Sequence, residues 1–137
     1  MPQVRAERSG WRDETISKRH RLWGWDCPAI DIDFLMIEYN RGNPIALVEY
    51  KHERAMEFNI KHTSYQAMIK LANASKIPCF VARYADDFSW WDITPINGYA
   101  TKCLPGKKRI TEKQWVAMLY KIRGYPLPER LEKELHG

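Results

Sequence analysis

In the stretch "ALVEYKHE", residues 46–53, Glu49 and Lys51 stand two apart in a run that otherwise reads as a buried strand. Upstream, Asp33 immediately precedes a second apolar run, "FLMI", residues 34–37. Two carboxylates converging in a half-buried place repel each other unless a cation sits between them. Hard oxygen ligands of this kind suit Mg²⁺ or Mn²⁺, with water completing the shell. Such an ion polarises a phosphodiester and acidifies a water, and a lysine beside it orients that water or offsets charge building on phosphorus. A plainer reading pairs Glu49 and Lys51 with each other and with Asp33 on a solvated sheet face, since an isolated E-x-K is short and common. Against it stands the apolar character of "FLMI" and "IALV", where unpaired charge is costly.

These residues need a β-hairpin to bring them together. "AIDIDFLMIEYNRGNPIALVEYKHE" holds two runs rich in Ile, Leu, Val, Phe and Tyr around "NRGNP", and Asn, Gly and Pro together read as a turn. A loop over 40–44 would set Tyr39 opposite Ile45, Leu35 opposite Glu49 and Asp33 opposite Lys51. Directly opposite residues share a face, so this register predicts Asp33, Glu49 and Lys51 on one face, with the carboxylates on a diagonal of about 7–8 Å. A slip of one residue would carry Asp33 to the other face.

The flanking elements follow from periodicity and punctuation. Residues 12–22 predict a short helix stopped by Gly24, with Ile16 and Trp23 as anchors. Thr63 and Ser64 are candidate caps for a helix to about residue 75, whose Tyr65, Met68, Ile69 and Ala72 form one apolar face. "IPCFVARY" reads as a buried strand, "ADDF" as a turn and "SWWDITPI" as another strand. Residues 97–110 read as a basic loop. Thr111 and Gln114 form a T-x-x-Q capping box for a helix carrying Trp115, Met118, Leu119 and Ile122 on one side, ended by Gly124. The expected fold class is α/β: a mixed central sheet flanked by helices, with a crossover between parallel strands. The expected organisation is a single domain over 1–137, with a loose N-terminal arm (1–10) and a basic C-terminal tail (125–137).

The 137 residues, 45% of them hydrophobic, suffice for one core and exclude a disordered chain. No apolar run is long enough to span a bilayer, and the charged start lacks a signal-peptide stretch. Cys27, Cys79 and Cys103 are odd in number and show no zinc-like grouping with the four histidines. The expectation is a reduced, cytoplasmic protein with no membrane partner. The net charge of +5 is unevenly spread: residues 1–25 carry six Lys/Arg against three Asp/Glu, residues 26–101 seven against ten, and residues 102–137 nine against four. A basic rim around an acidic centre suits a polyanion held at its edges while its middle meets a metal; solvated surface gives the same pattern.

The arrangement D-(x)n-E-x-K across a hairpin, after an N-terminal helix and before a crossover helix, resembles the PD-(D/E)xK nuclease superfamily, over about residues 12–84. The element order resembles the archaeal Holliday-junction-resolvase branch and small phage nucleases more than the large restriction enzymes. The resemblance implies a restriction-endonuclease-like core (α-β-β-α-β-β-α) and a Mg²⁺- or Mn²⁺-dependent endonuclease, a hydrolase acting on DNA more readily than RNA. Asp33, Glu49 and the backbone carbonyl of Tyr50 would bind the metal, and Lys51 would be catalytic. Residue 32, ahead of Asp33, is Ile rather than Pro, which leaves Asp31 as a rival; Asp33 is preferred because the apolar run begins right after it.

Several branches of the family place an extra acidic ligand in the first helix, here Glu14, which reads more readily as a first-turn acid favoured by the helix dipole. They also use a Gln or Lys of the crossover helix at the scissile phosphate, here Gln66 and Lys70, which otherwise read as exposed helix residues. Lys102, Lys107, Lys108 and Arg109 with Tyr99 suit backbone tracking on nucleic acid, as does Arg19 beside Arg8, Arg12, Lys18 and Arg21. No base-reading motif is visible, so the expected preference is for structure rather than sequence. A core this small leaves room for a homodimer. The alternative is a catalytically inactive nucleic-acid-binding or scaffold domain of the same fold.

Overall fold

The computed structural model describes residues 14–24 and 28–137, so the arm at 1–10, Arg8, Arg12 and Cys27 lie outside the described residues. The chain divides into two compact units, Met1–Asp31 and Ile32–Gly137. The first contains helix α1, Glu14–Trp23, in which Glu14 and Lys18 approach to 4.0 Å one turn apart on an exposed face.

The second unit is a five-stranded open sheet in the order β1-β2-β3-β4-β5. Its strands are β1 (Phe34–Glu38), β2 (Asn43–His52), β3 (Cys79–Tyr84), β4 (Trp91–Pro95) and β5 (Lys108–Ile110). β2 and β3 run parallel and every other neighbouring pair antiparallel. The parallel pair needs a crossover, supplied by α2 (Thr63–Ser75). The mixed α/β class is therefore as expected.

Alternation along the strands divides the core. On one face Leu47, Cys79 and Val81 meet Tyr65, Met68 and Ala72 of α2. On the other, Val48, Phe80, Ala82, Trp91 and Ile93 meet Trp115 of α4 (Glu112–Arg123). Trp115 and Phe80 are almost fully buried; each such side chain contributes on the order of 3 kcal/mol by leaving water. The T-x-x-Q box caps α4 as the sequence indicates, with Thr111 and Gln114 bonded reciprocally. Among the described residues no helix is long and apolar enough to cross a membrane.

Several elements differ from the sequence reading. The cap of α2 is His62, whose ring accepts from the Ser64 N–H, rather than Thr63 or Ser64. The stretch 97–110 is not a loop throughout. It contains α3 (Gly98–Cys103) and the edge strand β5. Asn97 makes this possible. Its buried side chain accepts from the N–H groups of Cys79 and Ala100 and donates to Ile77 and Asn73. It thus caps α3 and ties that helix to the entry of β3. The tail holds a short helix α5 (Glu129–Glu134), with Glu129, Glu132 and Glu134 against Arg130 and Lys133. It is therefore not basic; the positive charge of the C-terminal third lies before residue 124.

Candidate active site

The hairpin turn is tighter than the sequence reading expected. Glu38 pairs with Asn43, leaving four residues, Tyr39–Gly42, to reverse the chain. The Glu38 carboxylate accepts the N–H groups of Asn40 and Arg41, the Gly42 N–H returns to the Glu38 carbonyl, and Gly42 takes φ +70°, the left-handed region that suits glycine. Continued without interruption, that register would put Asp33 opposite Val48 and on the face away from Glu49. It is interrupted: Ile37 pairs with Pro44 but Met36 pairs with Ala46, so Ile45 is the extra residue of a β-bulge. From there Leu35 faces Leu47 and Phe34 faces Val48, and the same ladder brings Asp33 level with Glu49. The register differs by two residues from the expected one, and its parity is the same.

Asp33 lies one residue ahead of β1. Its carboxylate accepts from the Tyr50 N–H at 3.1 Å. In a strand the N–H and C=O of one residue leave by the same edge, so the Tyr50 carbonyl also opens on the Asp33 side, past the end of β1. Glu49 and Lys51 share one face of β2, with Nζ 3.9 Å from Oε1; the Glu49 side chain is 17% exposed and that of Lys51 32%. Burial raises the Glu49 carboxyl above its ordinary value. The negative charge of Asp33 adds to this, Lys51 opposes it, and a hydrogen bond from protonated Glu49 to Asp33 favours the neutral form further. Two carboxylates and one ammonium therefore converge, with repulsion between the carboxylates only partly relieved.

Residue pairing extends this face across the sheet. Lys51 aligns with Arg83, Arg83 with Asp92, and Asp92 with Arg109. Arg83 was not singled out by the sequence, where it reads as the end of an apolar strand. It donates to the Ala55 carbonyl and reaches Glu57 at 3.4 Å, and its buried Nε has no hydrogen-bond partner. A shallow, solvent-open cleft with a cavity volume of about 10 Å³ lies here, lined by Lys51, Glu57, Phe58, Val81, Arg83, Asp92, Thr94 and Lys107. Tyr65 of α2 is a second residue missed, because it reads as part of an apolar stripe. Burial, then the charges of Glu49 and Asp33, push its hydroxyl up to about 12. Burial and Glu49 likewise push the Cys79 thiol up to about 12.

The other candidates fare differently. Gln66 donates its side-chain amide to the Ile60 carbonyl at 2.8 Å and so pins the segment between β2 and α2. Lys70 is exposed on α2. Asp31 and Glu14 belong to the other unit, as does the exposed Arg19. Arg109 is engaged: it grips Asp92 with two hydrogen bonds of 2.7 and 3.0 Å and stacks 4.1 Å over Trp90, which holds the Asp92 carboxyl below the usual range. Lys107 and Lys108 are exposed, and Lys102 lies 5.4 Å over the Tyr99 ring. His52 faces away from Lys51 and bonds Asp86 at 2.8 Å.

Among the described residues no group of three or more His, Cys, Asp or Glu is gathered about one point that could hold a metal. A donor set of two carboxylates and a carbonyl nevertheless fits Mg²⁺, which is commonly held by one or two carboxylates with water and substrate oxygens in its other positions. The raised Glu49 carboxyl is the electrostatic sign of a place where a cation would be welcome. No family model, no curated protein and no solved structure matches the chain.

Proposed function

We propose that the chain is a metal-dependent nuclease of the PD-(D/E)xK type, built on a restriction-endonuclease-like core, which hydrolyses phosphodiester bonds of DNA with a preference for structure over sequence. One observation carries the reading: Asp33, Glu49 and Lys51 converge at one end of the sheet, with Glu49 in reach of Asp33 and 3.9 Å from Lys51. Asp33, Glu49 and the Tyr50 carbonyl would hold Mg²⁺ or Mn²⁺. When bound, the ion would supply a positive charge that polarises the phosphodiester and lowers the pKa of a water.

The chain's own residues do the rest. Lys51, partly desolvated on the same face, sits where negative charge develops on the phosphate in the transition state. Arg83 and Lys107 extend positive charge along the sheet, which favours a polymer over a small phosphoester. Cutting both strands of a duplex would then call for two copies of so small a core.

The test is incubation of the protein with plasmid, linear duplex, single-stranded and branched DNA in Mg²⁺, Mn²⁺ or EDTA. Cleavage with either ion and none in EDTA is expected. Binding without cutting in Mn²⁺ would overturn the nuclease in favour of a binding module.

A further inference from the structure

Lys51 lies at the boundary of the carboxylate cluster and the cleft, and the register sets Arg83 directly beside it. We propose that the solvent-open mouth of this cleft is a second phosphate subsite, holding the nucleic-acid phosphate next to the one that is cut, with Arg83 as its anchor and Glu57 as an internal competitor for Arg83. The assignment rests on the nuclease reading for the position of the cut, and on the cleft alone for the binding.

Three features of the cleft point to an anion. The first is charge. Lys51, Arg83 and Lys107 line it against Glu57 and Asp92, and Asp92 is already neutralised by the two hydrogen bonds from Arg109. The second is unused donor capacity: the Arg83 Nε is buried without a partner, and a guanidinium presents its donors as a planar fork that matches a phosphate. The third is the weakness of one of the two contacts on the fork. The Ala55 carbonyl accepts from one Nη, but Glu57, on the other, is 81% exposed and 3.4 Å away, and exposed pairs of this kind contribute little. A phosphate entering the cleft offers Arg83 a better partner than Glu57 does.

Spacing agrees. Neighbouring strands lie about 4.8 Å apart, so Arg83 stands one strand from Lys51. One nucleotide step, roughly 3.4 Å of rise in a stacked strand and more when extended, bridges that separation. Phe58 and Val81 give the cleft an apolar wall that thins the water around the charges.

The experiment is a fluorescence-anisotropy titration of the full chain with a short labelled single-stranded oligodeoxynucleotide, in EDTA, over a range of salt. Arg83→Gln is expected to bind about tenfold more weakly and to lower the salt slope by about 0.7, one phosphate contact on a single strand. Lys107→Ala, an exposed change that leaves the core alone, is expected to lower the slope as well. Glu57→Gln is expected to bind about threefold more tightly, while Glu53→Gln, outside the cleft, leaves the affinity unchanged. The subsite is overturned if Arg83→Gln and Lys107→Ala both match wild type, or if Glu57→Gln and Glu53→Gln gain equally, which would mark a bulk charge effect. Because EDTA removes cleavage from the readout, failure here is distinct from failure of wild type to cut DNA.

Discussion

The carboxylate of Asp33 accepts the N–H of Tyr50 at 3.1 Å, which ties the residue ahead of β1 to the peptide between Glu49 and Lys51. This contact depends on the bulge at Ile45. Remove that residue and the tight turn would run on into a regular ladder, with Asp33 opposite Val48. The edge strand has little to resist such a slip, because Phe34, Leu35 and Ile37 are all more than a third exposed. Deleting Ile45 is therefore expected to leave the far-ultraviolet circular dichroism near wild type while abolishing any thermal stabilisation by Mg²⁺. Retention of a wild-type Mg²⁺ response would separate the bulge from the site.

Burial and the neighbouring Asp33 raise the Glu49 carboxyl in the folded chain above its unfolded value of 4.5. The folded state therefore holds this proton more tightly than the unfolded state. Its stabilising effect is complete below about pH 4.5 and is lost as pH rises through the elevated folded value. Glu49→Gln removes the ionisation. In metal-free buffer its melting temperature is expected to exceed that of wild type at neutral pH, by a margin that shrinks toward pH 4. A margin that instead grows on acidification would show that Glu49 is stabilised as the anion.

Adding Mg²⁺ reverses the balance, since an ion bound only by the folded state stabilises it by about 1.4 kcal/mol at ten times its dissociation constant. Wild type is expected to melt several degrees higher in Mg²⁺ than in EDTA, and Glu49→Ala and Asp33→Ala to show no difference. An equal response in all three proteins would put the ion elsewhere.

The sequence makes some of this arrangement legible for a physical reason. Strand alternation and a Gly-containing turn are local signals, so the hairpin and the common face of Glu49 and Lys51 can be read directly. The register cannot, because it depends on a turn closed by the Glu38 side chain and on the bulge at Ile45; two departures from regularity combined to keep the parity. Arg83 was hidden for another reason. Its value comes from lying beside Lys51 across a parallel pair, a long-range contact with no periodicity to announce it. Arg109 shows the converse: as one of three basic residues in "KKR" it reads as a phosphate contact, and its pairing with Asp92 across the sheet is invisible in the sequence.

Asn97 offers a test of the fold that does not involve the site. Its side chain satisfies the buried Cys79 N–H at 3.0 Å and the Ile77 carbonyl at 2.9 Å, and it caps α3 through the Ala100 N–H at 2.9 Å. Asn97→Ala leaves these groups unpaired. Each unsatisfied buried group costs about 1–3 kcal/mol, and loss of the cap about 1 kcal/mol. A total of about 3–7 kcal/mol is expected in chemical denaturation, whereas Asn97→Asp should recover part of it by keeping the acceptor. A loss below about 1 kcal/mol would mean that water replaces the side chain.

Lys51 separates catalysis from binding. Its Nζ is 3.9 Å from Glu49 on the face that continues to Arg83, and its assigned task is to meet charge that develops only in the transition state. An interaction of that kind lowers turnover when removed and leaves ground-state affinity nearly unchanged. Lys51→Ala is expected to cut DNA about 10²–10³-fold more slowly, while its oligonucleotide affinity in EDTA stays within about threefold of wild type, the change on the scale of one exposed charge. Losing the ammonium also removes the group that lowers the Glu49 carboxyl, so the pH at which Mg²⁺ begins to stabilise the variant should move upward. A Lys51→Ala protein that cuts at the wild-type rate would reduce Lys51 to a surface charge, and with it the reading of Asp33 and Glu49 as its catalytic partners.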